Sequence, residues 1–149
     1  MVEGERLTVH FVNTGVPHAV VECGDVASVD VKKLGRTLRF HPHFAPAGTN
    51  VNFISVADRD ALHLRTYERG VEDETYACGT GAAASALVAN ALGLTGKEVA
   101  LTTSGGEVLR IFLESGTVHL QGPAVTVYEG RLRPASVGLV LPPDAARAA

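Results

Sequence analysis

The run Ala77-Cys78-Gly79-Thr80-Gly81 passes directly into Ala82-Ala83-Ala84-Ser85-Ala86-Leu87, which places a thiol at the mouth of a small-residue helix. The first amides of a helix have no partner within it and carry the positive end of its dipole, so a cysteine there is biased towards its thiolate. Gly79 and Gly81 keep that mouth bare, open to an anionic group of a substrate. A proton-abstracting base and an anion cradle would then share one turn. Upstream, Glu68 and Arg69 are expected to end a strand just before a polar loop returns the chain to Cys78. Such a pair could orient an amino acid, with Glu68 holding its ammonium and Arg69 either binding its carboxylate or ordering the loop.

The elements that must position these residues can be read from the pattern. Leu7–Val12 and His18–Cys23 alternate or run apolar like strands, joined by the turn Asn13-Thr14-Gly15-Val16-Pro17. Asp30 is placed to cap a helix over Val31–Arg39, since Val31, Leu34 and Leu38 share one face and Pro42 and Pro46 lie beyond its end. After the loop His41–Gly48, Asn50–Val56 and Leu62–Glu68 read as a hairpin about Asp58-Arg59-Asp60. The helix behind Cys78 should run from Gly79 to Leu92 and stop at Gly93. Because that helix is small or apolar nearly all round, it predicts burial on every side. Val99–Thr103, Val108–Leu113, Thr117–Leu120 and Val125–Tyr128 then read as a four-strand meander, and Pro142–Ala149 as a frayed end. The expected fold class is α+β: a mixed, strongly curled, barrel-like sheet wrapped around a central helix, in one domain over residues 1–149.

Composition excludes several alternatives. The 149 residues are 46% hydrophobic and 19% charged with a formal charge of -3, and Lys and Arg are scattered, so nucleic acid is not an expected partner. Nothing approaches a membrane-spanning run, and Met1–Arg6 lacks the basic and apolar regions of a signal peptide. The chain reads as cytoplasmic. Two cysteines, Cys23 and Cys78, are too few for a disulfide framework and lack metal-ligand spacing. His41 and His43 flank Pro42 without a third ligand nearby, so no metal is assigned.

The stretch from Arg65 to Gly81, with Tyr67-Glu68-Arg69-Gly70 leading into Ala77-Cys78-Gly79-Thr80-Gly81, resembles the second cysteine motif of the diaminopimelate epimerases. Asn13-Thr14-Gly15-Val16-Pro17-His18, Arg39-Phe40-His41-Pro42 with Gly48-Thr49-Asn50-Val51-Asn52-Phe53, and the Gly105-Gly106 and Gly122-Pro123-Ala124 turns resemble the same family in the same order. The resemblance covers nearly the whole chain but only the C-terminal half of the family's protein. It implies a cofactor-independent epimerase that interconverts LL- and meso-2,6-diaminopimelate in lysine and peptidoglycan synthesis. In that family two cysteines flank the substrate α-carbon, and the substrate lies between two similar domains, each a sheet curled around a helix. By the resemblance Cys78 is one of the two bases, and His18 lies near the catalytic thiols. Asn50, Glu68, Arg69, Gly79 and Thr80 match substrate-binding positions. Where many members have Asn directly before Pro17-His18 this chain has Val16, with Asn13 earlier as the candidate for that role.

Inversion needs an acid and a base on opposite faces of the α-carbon, and one cysteine supplies half of that. Cys23 lies within an apolar strand with no glycine-rich helix mouth behind it and reads as a packing residue. The partners expected are therefore a small amino acid, the absent N-terminal half and, as a further option, a second copy of the chain. Taken alone, His18 would read as a structural histidine, Asn50 as a strand-edge residue and Glu68-Arg69 as a solvated pair. Two other readings stand beside the epimerase domain. One is a proline racemase relative; the other is a non-catalytic module that self-associates through the face its missing half would cover.

Overall fold

The protein is described by a computed structural model covering residues 7–131, 133, 136 and 138. Its strands are β1 (His10–Asn13), β2 (Pro17–Glu22), β3 (Asn50–Asp58), β4 (Ala61–Glu68), β5 (Asp73–Thr75), β6 (Glu98–Thr102), β7 (Val108–Glu114) and β8 (Thr117–Gln121). They form one mixed sheet in the order β1-β2-β3-β4-β6-β7-β8, with β5 beside β6 on the same edge of β4. The pairs β2–β3 and β4–β6 are parallel and the rest antiparallel.

Alternation along the strands gives the sheet two apolar faces, and each carries one helix. Val20, Ile54, Leu62, Leu64, Val99, Leu101, Leu109 and Ile111 pack on α2 (Gly79–Ala91) through its Ala82, Ala84, Ala86, Val88 and Ala89. Their neighbours of opposite parity, Val21, Val51, Phe53 and Tyr67, pack on the other face with Val31 and Leu38 of α1 (Val31–Arg39). Asp30 caps α1 by accepting from the Lys33 N–H at 3.0 Å. A Cβ at Gly35 would lie 2.5 Å from Tyr67 Cβ, so glycine lets α1 settle directly on β4.

The curled sheet around a helix, the capped α1, the β3–β4 hairpin and the stop at Gly93, with φ 74°, agree with the pattern-based reading. Three details differ. Val125–Tyr128 is not a strand, so the expected four-strand meander is β6, β7 and β8 only. Gly122 and Pro123 follow β8, and proline supplies no N–H to a ladder; Val125, Val127 and Tyr128 are more than four-fifths exposed. Burial of α2 on every side is the second overestimate. The sheet stops at β1 and β8 without pairing them, leaving Ala83 and Leu87 half-buried between. Third, the expected polar loop between Arg69 and Cys78 contains a short strand, β5. Among the described residues no helix is long and apolar enough to cross a membrane. Pro142–Ala149, read as frayed, lies outside the described residues.

Candidate active site at the mouth of the central helix

Cys78 is the N-cap of α2, with extended backbone (φ −137°, ψ 105°) and no side-chain capping bond. Its carbonyl accepts the first intrahelical bond, from Ala82 N–H at 2.9 Å. The amides of Gly79, Thr80 and Gly81 therefore precede the helical ladder. The thiol is 8% exposed and lies 3.5 Å from Thr80 Oγ1. Gly79 and Thr80 are exposed. Gly81 has a different use from the one expected: a Cβ there would stand 2.4 Å from Asn52 Oδ1, so its bareness seats the helix on β3.

The strand faces explain why polar groups gather at this end. Residues of even number on β2, β3 and β4 point towards α2, and away from its N-terminus they are apolar: Val20, Ile54, Leu62 and Leu64. Towards the helix mouth the same rows become His18, Asn52 with Asn50, and Thr66 with Glu68. Register brings them side by side, His18 opposite Asn50 and Asn52 opposite Thr66. His18, Asn50, Asn52 and Thr66 are all buried. Polar side chains in such a place need partners. Asn52 Nδ2 lies 3.0 Å from His18 Nδ1 and 3.2 Å from Ala19 O, and Thr66 Oγ1 donates to Asn52 Oδ1 at 3.0 Å. Asn50 Oδ1 accepts from Arg69 N–H at 2.7 Å. His18 Nε2 is buried and has no hydrogen-bond partner among the described residues. Burial, aided by the Arg69 charge, lowers the His18 pKa to about 4, so the ring is neutral at ordinary pH.

Glu68 ends β4 half-buried, and its carbonyl accepts from Glu72 N–H at 2.8 Å across the turn that follows. That turn is held by Glu72, which adopts a positive φ of 61°. Its carboxylate accepts from Gly70 N–H at 3.1 Å and pairs with Arg39 at 3.0 Å. Burial pushes the Glu72 pKa up, but the Gly70 N–H, Arg39 and Tyr67 together bring it below its ordinary value. Arg69 Nη1 donates to Ala47 O at 3.3 Å, which ties it to the loop before β3. Between β4 and β5, Arg65 grips Glu74 through two bonds of 2.8 and 2.7 Å and donates to the carbonyls of Val26 and Val29. Gly105 N–H bonds Tyr76 O at 3.0 Å, so the Gly105-Gly106 turn supports the approach to Cys78. Arg65, Glu72 and Glu74 were missed as site supports because their partners are distant in sequence or lie across a turn.

Asn13 ends β1, exposed, and its Oδ1 is committed to Gly15 N–H at 3.0 Å. It lines a groove of about 510 Å³ with Thr14, Gly79, Thr80, Ala83, Leu87, Val118 and Leu120. Thr14 Oγ1 donates to Thr80 O at 3.3 Å, tying this rim to the helix mouth. Cys23 lies elsewhere: its thiol donates to Ile54 O at 3.2 Å, and burial with Glu22 and Asp25 pushes its pKa up, contrary to the needs of a thiolate base.

Residues 10–131 match the model of the family described as diaminopimelate epimerase. The chain is 52% identical over 134 residues to a diaminopimelate epimerase of Aquifex aeolicus (strain VF5), covering 88% of this chain and 48% of that protein. It is 49% identical over 126 residues to one of Hydrogenobaculum sp. (strain Y04AAS1), covering 83% and 46% respectively. The chain thus spans about half the length of the curated relatives it matches. Its fold is similar to that of a Bacillus anthracis phenazine biosynthesis protein of the PhzF family, with a TM-score of 0.54 at 17% identity over 76% of this chain and 39% of that one. The curled sheet around a buried helix, the matched span and the level of identity lead to one conclusion: the chain belongs to the diaminopimelate epimerase family.

Proposed function

We propose that this chain is one domain of a diaminopimelate epimerase and supplies one of two cysteines that invert an α-carbon without a cofactor. The observation that carries the reading is the convergence of Cys78, the three amides before the α2 ladder and the buried His18-Asn50-Asn52-Thr66 row at one end of the sheet. In this reading the Cys78 thiolate takes the α-proton from one face, while a thiol from the other half of the enzyme delivers a proton to the opposite face. In the reverse direction the roles exchange, so each turnover leaves one thiol protonated and one ionised. Removing an α-proton leaves a carbanion whose charge spreads into the substrate carboxylate. The amides of Gly79, Thr80 and Gly81 are the donors for that charge, preorganised because the fold already holds them. Glu68 holds the substrate ammonium, and Asn50 and Arg69 shape the pocket wall beside it. Asn13 is assigned to the rim.

An apolar groove favours a second reading, in which the isolated chain is a non-catalytic module covered by a second copy. Val118, Leu120, Ala83 and Leu87 line it, between the unpaired ends of the sheet. One experiment separates the two. The purified chain is assayed for conversion of LL- to meso-diaminopimelate alone and after addition of the N-terminal half of the Aquifex aeolicus relative. The epimerase reading expects turnover only in the mixture, abolished by Cys78→Ser. Absence of turnover in a mixture shown to form a complex would overturn it.

A further inference from the structure

Asn52 has no part in the chemistry above, yet it is fully buried between His18 and Thr66, against the start of α2. Its neighbours fix how its carboxamide is turned. Ala19 O can only accept, so the atom 3.2 Å from it must be the amide nitrogen. Thr66 Oγ1, 3.0 Å from the other end, donates to the amide oxygen. The nitrogen that faces Ala19 also stands 3.0 Å from His18 Nδ1. An N–H pointed at Nδ1 requires a lone pair there, so the proton of the neutral ring sits on Nε2. That Nε2 is the buried atom without a partner among the described residues. Protonation of Nδ1 would set two donors against each other, and Arg69 is the charge that acts on the ring, opposing a second proton. The absent Cβ of Gly81 would touch both Asn52 Oδ1 and Cys78 Sγ, at 2.4 and 3.2 Å, so the carboxamide and the thiol border one helical residue.

We propose that Asn52 is a positioning residue: oriented by Thr66, it locks His18 as the neutral Nε2–H tautomer and keeps that N–H as a buried donor for an anionic ligand group at the mouth of α2. The ligand rests on the function proposed above, whereas the tautomer is a property of the chain itself and is measured without substrate.

The test uses the full 149-residue chain labelled with nitrogen-15 and long-range proton–nitrogen spectra at neutral pH. The expected result is a His18 Nδ1 in the unprotonated range and an Nε2 in the protonated range. Thr66→Val removes the group that orients the carboxamide, and should introduce a population protonated on Nδ1. Asn52→Asp replaces the donor by an acceptor, and should move the proton to Nδ1 altogether. Circular dichroism checks that each variant is folded. A structural role alone would leave the tautomer unmoved in folded variants. Protonated Nδ1 in the unsubstituted chain overturns the proposal, and so does an unchanged Nε2–H tautomer in whichever variant folds. If the tautomer behaves as expected while the assembled enzyme shows no turnover, the catalytic reading fails and the positioning role stands.

Discussion

Asn50 Oδ1 and the backbone N–H of Arg69 meet at 2.7 Å, joining the first residue of β3 to the turn that leaves β4. Asn50 is 5% exposed, so no water readily replaces this acceptor. Asn50→Ala should destabilise the chain by about 1–3 kcal/mol, the range for a buried donor left unsatisfied. Asn50→Asp keeps an acceptor and should recover most of that loss. Urea unfolding decides, through a lowered midpoint at unchanged slope for the alanine variant. In the assembled enzyme the same substitution should raise KM, because the Glu68-Arg69 turn is no longer held.

Gly81→Ala sets helix propensity against packing. Alanine gains about 1 kcal/mol over glycine within a helix. Here its Cβ would lie 2.4 Å from Asn52 Oδ1 and 3.2 Å from Cys78 Sγ, which forces the helix or the asparagine to shift. Overpacking of this kind costs about 1–3 kcal/mol, so packing should win and the melting temperature should fall. A higher melting temperature would show that propensity dominates and that Asn52 yields easily.

The fork between Arg65 and Glu74 ties β4 to β5 and, through Val26 and Val29, to the segment before α1. Arg65→Ala should cost about 2–3 kcal/mol, since it strands a partly buried carboxylate and two carbonyls. Arg65→Lys should recover only part, because an ammonium cannot reproduce a bidentate grip. Arg65 above all, with help from Ser104, holds the Glu74 pKa below its ordinary 4.5 against the opposing effect of burial. A carboxylate with a depressed folded pKa stabilises fully above its unfolded value and loses that contribution as pH falls through the folded one. The stability difference between the parent and Arg65→Ala should therefore shrink below about pH 4.

His18 adds its own acid sensitivity. Its pKa in the fold is about 4 against 6.5 when unfolded, from burial first and Arg69 second. Between these values the unfolded chain binds more protons, so the contribution is whole above pH 6.5 and fades as pH falls towards 4. Urea midpoints across that window should slope upward with pH in the parent chain, and the slope should be smaller in His18→Gln. Equal slopes would mean that His18 is not held neutral.

Local signals made much of this protein readable. Asp30 before Val31, the alternation of β2 to β4, and Cys-Gly-Thr-Gly ahead of an alanine run each act within a few residues. Other features depend on what lies across space. The strand alternation of Val125–Tyr128 is real in the sequence, but the segment leaves the open edge of β8 unpaired after Gly122 and Pro123. α2 is apolar all round, yet one stripe of it faces a groove. Asn52 reads as an unremarkable polar residue within Asn50–Asp58 until register sets it beside Thr66 and packing beside Gly81. The parallel pairing β2–β3 sets His18 beside Asn50, and no local spacing announces it.

A single thiol can serve only one face of an α-carbon, and this gives the isolated chain a distinctive signature. In the function proposed above, Cys78 at the N-cap of α2 removes the proton and the amides of Gly79, Thr80 and Gly81, ahead of the ladder, stabilise the charge, both on one side. No second thiol of this chain shares the place, because Cys23 is bonded to Ile54 O away from it. Incubated in heavy water, the chain should exchange the α-hydrogen of one diaminopimelate stereocentre configuration and return the label to the same face, without inversion. Proton magnetic resonance measures the loss of the α-proton signal, and chiral chromatography measures the isomer ratio. Cys78→Ser should slow exchange by about 100-fold or more, in line with loss of a positioned base. Equal exchange at both configurations would count against a one-thiol site. Exchange with inversion would mean that a second acid, from another copy of the chain or from His18, completes the site.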